Sequence, residues 1–342
     1  MPGVAITVGA TWLLYMSGLF VLWTPLPLLY RLGKTGPTPY LVSALISLCG
    51  IAALYWFLLP TLDDEGSRQF LAVPALGLYE HFGRGVVQGV ALIYFSYFAA
   101  MAGSLGWSHL RRHTIDQTFW RAIIIPVVMG LVAIWLLAKG LQLSVLNEAR
   151  GYLLYLLDEV IALGSRTGIT GQEVLFLKEH REAIATTVLQ MIPAALIIGT
   201  LFTAWCNVLA ARWWFPKGPL FRHLGSLSRW KLGDQWVWGL IVAGAAYVAH
   251  IYLLEQDWLG SVAANILWVY GALYFLQGLA IISFYLSKRR SFILRVLVYG
   301  ILILFFQVMA ILVTVLGLLE IWFNFRKLSG GDYHGSDLAR KH

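Results

Sequence analysis

The sequence predicts an all-α, polytopic transmembrane helical bundle with about eight spans. Hydrophobic residues make up 59% of the 342 positions and charged residues only 12%, which is about half the charged share of soluble domains. Cutting the chain at every Asp, Glu, Lys and Arg leaves eight runs of 17 or more uncharged residues. A helix needs about 20 mostly apolar residues to cross a bilayer. Because these runs are continuous and do not alternate, they predict helices and not barrel strands.

The eight predicted spans follow the uncharged runs in chain order. They lie near residues 4–23, 37–59, 85–105, 120–138, 184–211, 235–254, 260–286 and 296–320. The first run lacks a basic start and a small-residue cleavage site, so it predicts a span and not a signal peptide. Pro25 and Pro27 are expected to end or kink it. Residues 1–328 are therefore predicted to form a single integral membrane domain, followed by a polar tail over 329–342.

Two further segments are hydrophobic but too short or too polar to span. Residues 69–79 form an 11-residue apolar patch between charged flanks, a length that fits an interfacial or re-entrant segment before span three. Residues 141–182 carry apolar side chains at helical spacing with charges between them, which predicts an amphipathic helical hairpin before span five. Its default position is on the membrane surface.

The net charge of +8 is explained by the loops that alternate spans would place on one side of the membrane. These loops hold 14 of the 25 basic residues: Arg31, Lys34, Arg111, Arg112, Arg121, Arg212, Lys217, Arg222, Arg229, Lys231, Lys288, Arg289, Arg290 and Arg295. The positive-inside rule then makes this side cytoplasmic and places both termini outside. Arg326 and Lys327 fall on the opposite side and weaken the asymmetry. Nucleic acid is not an expected partner; the lipid bilayer is.

Polar side chains inside the predicted spans form two stripes. Thr200, Thr203 and Asn207 share one face of span five, and Tyr270, Tyr274 and Gln277 share one face of span seven, with Asn265 near its entry. Polar groups at membrane depth usually face the protein interior or a cavity. One hypothesis is that both stripes line a site for a small, neutral or weakly polar solute. The alternative is that they form hydrogen bonds across helix contacts.

The sequence contains no motif that predicts an enzyme, a metal site or a cofactor. His109 and His113 have the spacing of a helical metal pair, but they flank two arginines and no third ligand is indicated. Glu80, His81 and Asp234 are titratable groups at plausible depth, and none has a visible partner in the sequence. A non-enzymatic protein without a cofactor is the expectation.

The C-terminal half resembles the YybS-like family of predicted bacterial membrane proteins, a domain of unknown function. The resemblance rests on MIPAALIIGTLFTAWCNVLAAR, LFRHLGSLSRWKLGDQWVWGL, NILWVYGALYFLQGLAIISFYL and GLLEIWFNFRKL, and covers about residues 170–328. The sequence departs from the family pattern at Gly233, Glu320 and Asn324. The resemblance implies a multi-pass protein of the bacterial cytoplasmic membrane. It also implies a distant similarity in fold to the substrate-binding subunits of energy-coupling-factor transporters.

Two functional hypotheses follow from these patterns. The first is a transporter-like protein that binds a small solute within the bundle through the two polar stripes. The second is a non-catalytic membrane scaffold or accessory subunit that binds partner proteins or lipids. In the second hypothesis the contacts are made by the amphipathic hairpin and by a basic loop holding Arg212, Lys217, Arg222, Arg229 and Lys231, which suits anionic lipid headgroups.

Overall fold

The computed structural model describes residues 2–58, 73–166, 171–215, 220–254, 256–289 and 291–328, and these residues form helices and no strand. The all-α prediction is therefore confirmed. Within these residues, seven helices are long and apolar enough to cross a membrane, and two shorter ones are apolar. The C-terminal tail 329–342 lies outside the described residues.

The chain divides into two compact units, called unit 1 and unit 2 below. Unit 1 comprises residues 1–111, 117–192 and 199–220, and unit 2 comprises 112–116, 193–198 and 221–342. The first seven helices are α1 (Pro2–Met16), α2 (Pro25–Thr35), α3 (Pro37–Leu58), α4 (Val73–Leu110), α5 (Ile115–Gly140), α6 (Val145–Arg166) and α7 (Gln172–Trp214). The remaining four are α8 (Trp236–Ala249), α9 (Asp257–Lys288), α10 (Phe292–Leu304) and α11 (Phe306–Phe323).

Large apolar side chains cover the outside of the helices. On α5, for example, Leu131 is 52% exposed and Trp135 is 56% exposed. Small polar side chains such as Ser43, Ser104 and Thr118 are buried instead. Soluble proteins rarely expose such extensive apolar surface, so this distribution indicates that lipid surrounds the helices.

The predicted first span is shorter than expected. α1 ends at Met16 and not at residue 23, because Gly18 adopts a left-handed backbone with φ of 66°. A 3₁₀ turn at Val21–Trp23 follows, and Pro25 then opens α2. Pro25 therefore begins a helix and does not end one, which is consistent with the preference of proline for the first helical turn.

The short segment predicted before the third span is partly described. Residues 69–72 lie outside the described residues, and α4 begins at Val73 and continues to Leu110. Gly83, with φ of 74° and ψ of −179°, interrupts the helical backbone within α4. The segment from residue 73 onward is therefore the first part of α4, set apart by a glycine kink.

The amphipathic hairpin predicted over 141–182 is formed by α6 and the beginning of α7. Two ion pairs join the helices: Arg150 to Glu182 at 2.8 Å and Arg181 to Asp158 at 3.0 Å. α7 has 43 residues and is about 64 Å long, roughly twice the hydrocarbon thickness. The charged part of the hairpin continues into the spanning part of the same helix, and its position on the membrane surface stays a prediction.

The predicted eighth span, 296–320, is not one helix. Phe305, with φ of −110° and ψ of 35°, separates α10 from α11. Neither proline nor glycine occupies the break, so the sequence pattern gave no sign of it.

Candidate functional site

The α7 stripe is buried and hydrogen-bonded within unit 1. Tyr97 on α4 donates its hydroxyl to Thr200 Oγ1 at 2.7 Å. Thr203 donates to the carbonyl of Gly199 at 2.7 Å, one turn earlier on the same helix. The side chains of Thr200 and Thr203 therefore contribute to packing between and within helices.

Asn207 links the α7 stripe to the non-helical segment between α1 and α2. Its Nδ2 donates to the carbonyl of Leu22 and to the carbonyl of Thr203, both at 2.8 Å. Leu22 lies in the 3₁₀ turn, and the amide of Thr24 closes that turn on the carbonyl of Val21. Asn207 and Thr24 are thus brought to the same short turn of the chain.

Two polar atoms at this turn are buried and have no hydrogen-bond partner among the residues that the structure describes. They are Asn207 Oδ1 and Thr24 Oγ1, and both residues are 0% exposed. Thr24 occupies the N-cap position of α2, but its φ of −50° and ψ of −38° are helical. An N-cap residue normally has an extended backbone, which directs its side-chain oxygen to the amides of the first helical turn. Thr24 has a helical backbone instead, and its hydroxyl makes no capping hydrogen bond to α2. Buried polar atoms usually have a partner, so this turn is the candidate site in unit 1.

The polar residues of the seventh predicted span lie in α9 and belong to unit 2. Gln277 is fully buried; its Oε1 accepts from the amide of Leu232 at 2.8 Å, and its Nε2 donates to the carbonyl of Gly317 at 2.7 Å. Asn265 Oδ1 accepts from the amide of Ala194 at 2.8 Å. Both side chains therefore bind backbone groups of other segments: the Leu232 amide, which lies outside the helices, and groups within α7 and α11.

Tyr270 and Tyr274 stack with ring centroids 6.3 Å apart. The hydroxyl of Tyr274 is buried and has no partner within the described part of the chain, whereas Tyr270 lines a groove of about 450 Å³ between α8 and α9. The rest of the lining is mainly apolar, with Gly239, Ala243, Ala246 and Ala263 among the small residues. The groove could hold an apolar group, but it has few polar atoms that could form hydrogen bonds with a ligand.

The two predicted stripes lie in different units, Thr200, Thr203 and Asn207 in unit 1 and the α9 residues in unit 2. That both stripes line one cavity stays a prediction.

The residues of the predicted basic loop differ in their surroundings. Arg222 and Arg229 are exposed. The Lys231 side chain is 6% exposed and pairs with Asp234 at 2.7 Å. Arg212 is half-buried at the end of α7, and Lys217 lies outside the described residues. Contact of these residues with a partner or with lipid stays a prediction.

The sequence patterns did not reveal the buried ion pair between Glu320 and Arg326. Arg326 Nε lies 2.8 Å from Glu320 Oε1, and both side chains are 0% exposed. Arg326 also donates to the carbonyls of Ser228 at 2.7 Å and Trp230 at 2.9 Å. One signal was present in the sequence: Asn324, which tolerates the left-handed conformation, ends α11 with φ of 41° and reverses the chain so that Arg326 faces Glu320.

Over the described residues, no group of three or more His, Cys, Asp or Glu is placed to hold a metal ion.

A family model described as "Predicted membrane protein (DUF2232)" matches residues 83–321. No curated protein matches the chain. No solved structure matches it either.

Proposed function

The chain belongs to the DUF2232 family of predicted membrane proteins, and from this premise we propose that it is a transporter-like protein that binds a small polar solute. The observation that carries the proposal is the pair of unpartnered, fully buried atoms Asn207 Oδ1 and Thr24 Oγ1. Leaving such groups unpaired costs about 1–3 kcal/mol each, and a bound solute would remove that cost.

The chemistry of the two atoms limits the solute. An amide oxygen only accepts hydrogen bonds, whereas a hydroxyl both donates and accepts. The ligand must therefore carry at least one hydrogen-bond donor. α1, α2 and the part of α7 from Ile184 to Trp214 contain no Asp or Glu, so a cation would find no counter-charge on these helices. The same helices carry Arg31, Lys34 and Arg212, but the two atoms at the turn are uncharged, and a neutral molecule with hydroxyl or amide groups matches them.

The interrupted segment between α1 and α2 supports the same proposal. Membrane transporters often place their solute sites where a helix is broken and backbone groups are free to bind. The similarity to the YybS-like family, and through it to the fold of vitamin-binding transporter subunits, agrees with solute binding at the level of fold analogy. A location in the bacterial cytoplasmic membrane is proposed on the same resemblance.

The test is a thermal-stability screen of the detergent-purified protein against neutral sugars, nucleosides and amides. A true ligand at a hundredfold excess over its Kd stabilises by about 2.7 kcal/mol, so it raises the Tm of the wild type. The Thr24→Val and Asn207→Leu variants should not respond. Thr11→Val is the matched control, because the buried Thr11 hydroxyl already donates to the carbonyl of Thr7. If every stabilising compound also stabilises Thr24→Val and Asn207→Leu, the proposed site is wrong.

A second candidate function is a non-catalytic scaffold that contacts a partner through the α6–α7 hairpin. The observation that favours it is an exposed apolar face on α6, formed by Leu156, Val160 and Leu163, whose spacing places them on one side of the helix. Photo-crosslinking from Val160 in membranes would show a protein adduct in this case. Adducts to lipid alone would argue for a hairpin that contacts only the bilayer.

A further inference from the structure

The chain leaves the end of α9 and later returns to it. α9 ends at Lys288. Tyr285, in its last turn, donates a hydrogen bond of 2.6 Å to the carbonyl of Phe325, two residues beyond α11. A complete crossing between these positions would separate the ends by about 30 Å. The segment 289–324 therefore begins and ends at the same end of α9.

The contacts along α9 and α11 show that these helices run in the same direction. Gln277 hydrogen-bonds to Gly317, and Gly278 packs against Val313. Eight residues after Gln277, Tyr285 meets Phe325, which lies eight residues after Gly317. The contact of Gly278 with Val313 marks the point where the helices cross, and from this point both helices run toward the same end, as parallel neighbours do.

We propose that α10 and α11 form a re-entrant helical hairpin that enters and leaves the membrane on the side of the loop 222–231. This proposal does not depend on solute binding. α11 is long and apolar enough to span, but these contacts assign it a return path. The predicted eighth crossing, and with it the external C-terminus, would then be replaced by a C-terminus on the side of the basic loops.

The ion pair of Glu320 and Arg326 holds the C-terminal end of α11 against the loop between α7 and α8. Arg326 is buried against the carbonyls of Ser228 and Trp230 in the loop between α7 and α8. Leu232, at the end of that loop, is held by Gln277 of α9. The loop, α9 and the end of α11 are thus joined at one end of unit 2.

The distribution of charge agrees with the hairpin. Arg326 and Lys327 were the basic residues that a full eighth crossing would place on the wrong side. With a re-entrant hairpin they join Lys288, Arg289 and the basic loop on one side, as the positive-inside rule requires.

Helical hydrogen bonding reaches the tip of the hairpin from both sides. The amide of Phe305 donates to the carbonyl of Ile301, and the carbonyl of Phe305 accepts from the amide of Met309. The backbone groups that the break leaves open are therefore limited to the helix ends that flank Phe305.

Single-cysteine labelling in intact cells tests the proposal. Cys49 and Cys206, the two native cysteines, are replaced by Ala. Cysteine is then introduced at one of three exposed positions: Lys327 after α11, Arg222 in the basic loop, or Gln256 at the opposite end of α9. A membrane-impermeant maleimide is applied to intact cells and to inverted vesicles.

The Lys327→Cys variant should show the same sidedness as Arg222→Cys and the opposite sidedness to Gln256→Cys. If Lys327→Cys is labelled together with Gln256→Cys, α11 crosses the membrane and the hairpin is refuted. Fusions of green fluorescent protein and of alkaline phosphatase after His342 give a second measurement on the native sequence. Fluorescence without phosphatase activity supports the hairpin when Arg222→Cys is cytoplasmic, and the reverse pattern overturns it.

Discussion

The ion pair of Glu320 and Arg326 is buried at the end of α11, so its contribution to stability depends on how completely its polar atoms are bound. Removing two charges from water is costly, and the attraction between them offsets this cost only if the remaining polar atoms are also bound. Glu320 Oε2 accepts from the amide of Phe325, and Arg326 reaches two loop carbonyls. Most polar atoms of the pair are therefore satisfied, which makes the pair costly to break from one side.

Removal of both partners should destabilise unit 2 by less than the sum of the two single removals. Arg326→Met or Glu320→Leu alone leaves an uncompensated buried charge, at a cost of about 3–5 kcal/mol. The double variant loses only the hydrogen bonds to Phe325, Ser228 and Trp230, so it should cost less than the sum of the single changes. Chemical unfolding in mild detergent measures the three free energies. Additive losses would show that the two side chains do not act as a pair.

Gln277 gives a second prediction at this scale. Gln277→Leu keeps the approximate volume but leaves the amide of Leu232 and the carbonyl of Gly317 without their bonds to this side chain. The buried amide of Leu232 then lacks its partner, at a cost of about 1–3 kcal/mol, whereas the carbonyl of Gly317 keeps its helical bond within α11. The same substitution at Gln307, which is exposed on α11, is the control and should leave the Tm nearly unchanged. Equal effects at both positions would contradict the assigned role of Gln277.

Individual polar residues could be selected from the sequence, but their partners could not. Asn207, Gln277 and Asn265 stand out because uncharged polar groups are rare in apolar runs. Each of them bonds to a residue at least 45 positions away along the chain. The burial of Arg326 depends on the chain reversal at Asn324, which hydropathy does not report.

The contact between α9 and α11 is made through two glycines. A methyl group on Gly278 would overlap the carbonyl oxygen of Val313, and one on Gly317 would overlap the carbonyl oxygen of Tyr274. Both clashes involve backbone, which side-chain rotation cannot relieve. Small residues generally permit this close approach of membrane helices.

Gly317→Ala should therefore separate the two helices. Alanine is favoured over glycine in a helix by about 1 kcal/mol, so any loss of stability reports the clash. Gly271→Ala on α9 is the matched control, because a methyl group there meets nothing within 4 Å; it should be neutral or stabilising. Thermal unfolding of both variants measures the effect. A Tm of Gly317→Ala equal to or higher than that of the wild type would contradict the close packing.

The ion pairs of the α6–α7 hairpin should contribute little stability. The four side chains of the two pairs are 40–56% exposed, and such pairs are usually worth about 0–1 kcal/mol. Arg150→Ala with Arg181→Ala should lower the Tm only slightly and less at high salt. A large loss that persists at high salt would indicate that the arginine stems pack against apolar surface.

The positions of the helices could be predicted from the sequence more accurately than their interruptions. Uncharged runs locate α3, α5 and α9 because lipid imposes continuous apolar length. The breaks after Met16 and at Phe305 depend on local backbone angles and tertiary contacts. The expectation that Pro25 would end or kink the first span was wrong, because proline is also suited to the first turn of a helix.

At the scale of the whole molecule, the alternating spans of the sequence predict that the α6–α7 hairpin and the basic loop are exposed on opposite sides of the membrane. Glu159 on α6 and Arg229 in the loop are both exposed, and the odd number of spans between them reverses the side. Glu159→Cys should react with an impermeant maleimide in intact cells, and Arg229→Cys only in inverted vesicles. Labelling of both from one side would overturn the predicted topology.

The two glycines of α9 and α11 also constrain how the sequence can vary. Each glycine faces a backbone atom of the other helix, so no change in a neighbouring side chain could make room for a larger residue. An aligned set of homologous sequences should therefore show glycine retained at both positions together. Where one position has changed, the helix contact itself should have been rebuilt, with Gln277, which donates to the carbonyl of Gly317, replaced in the same sequences.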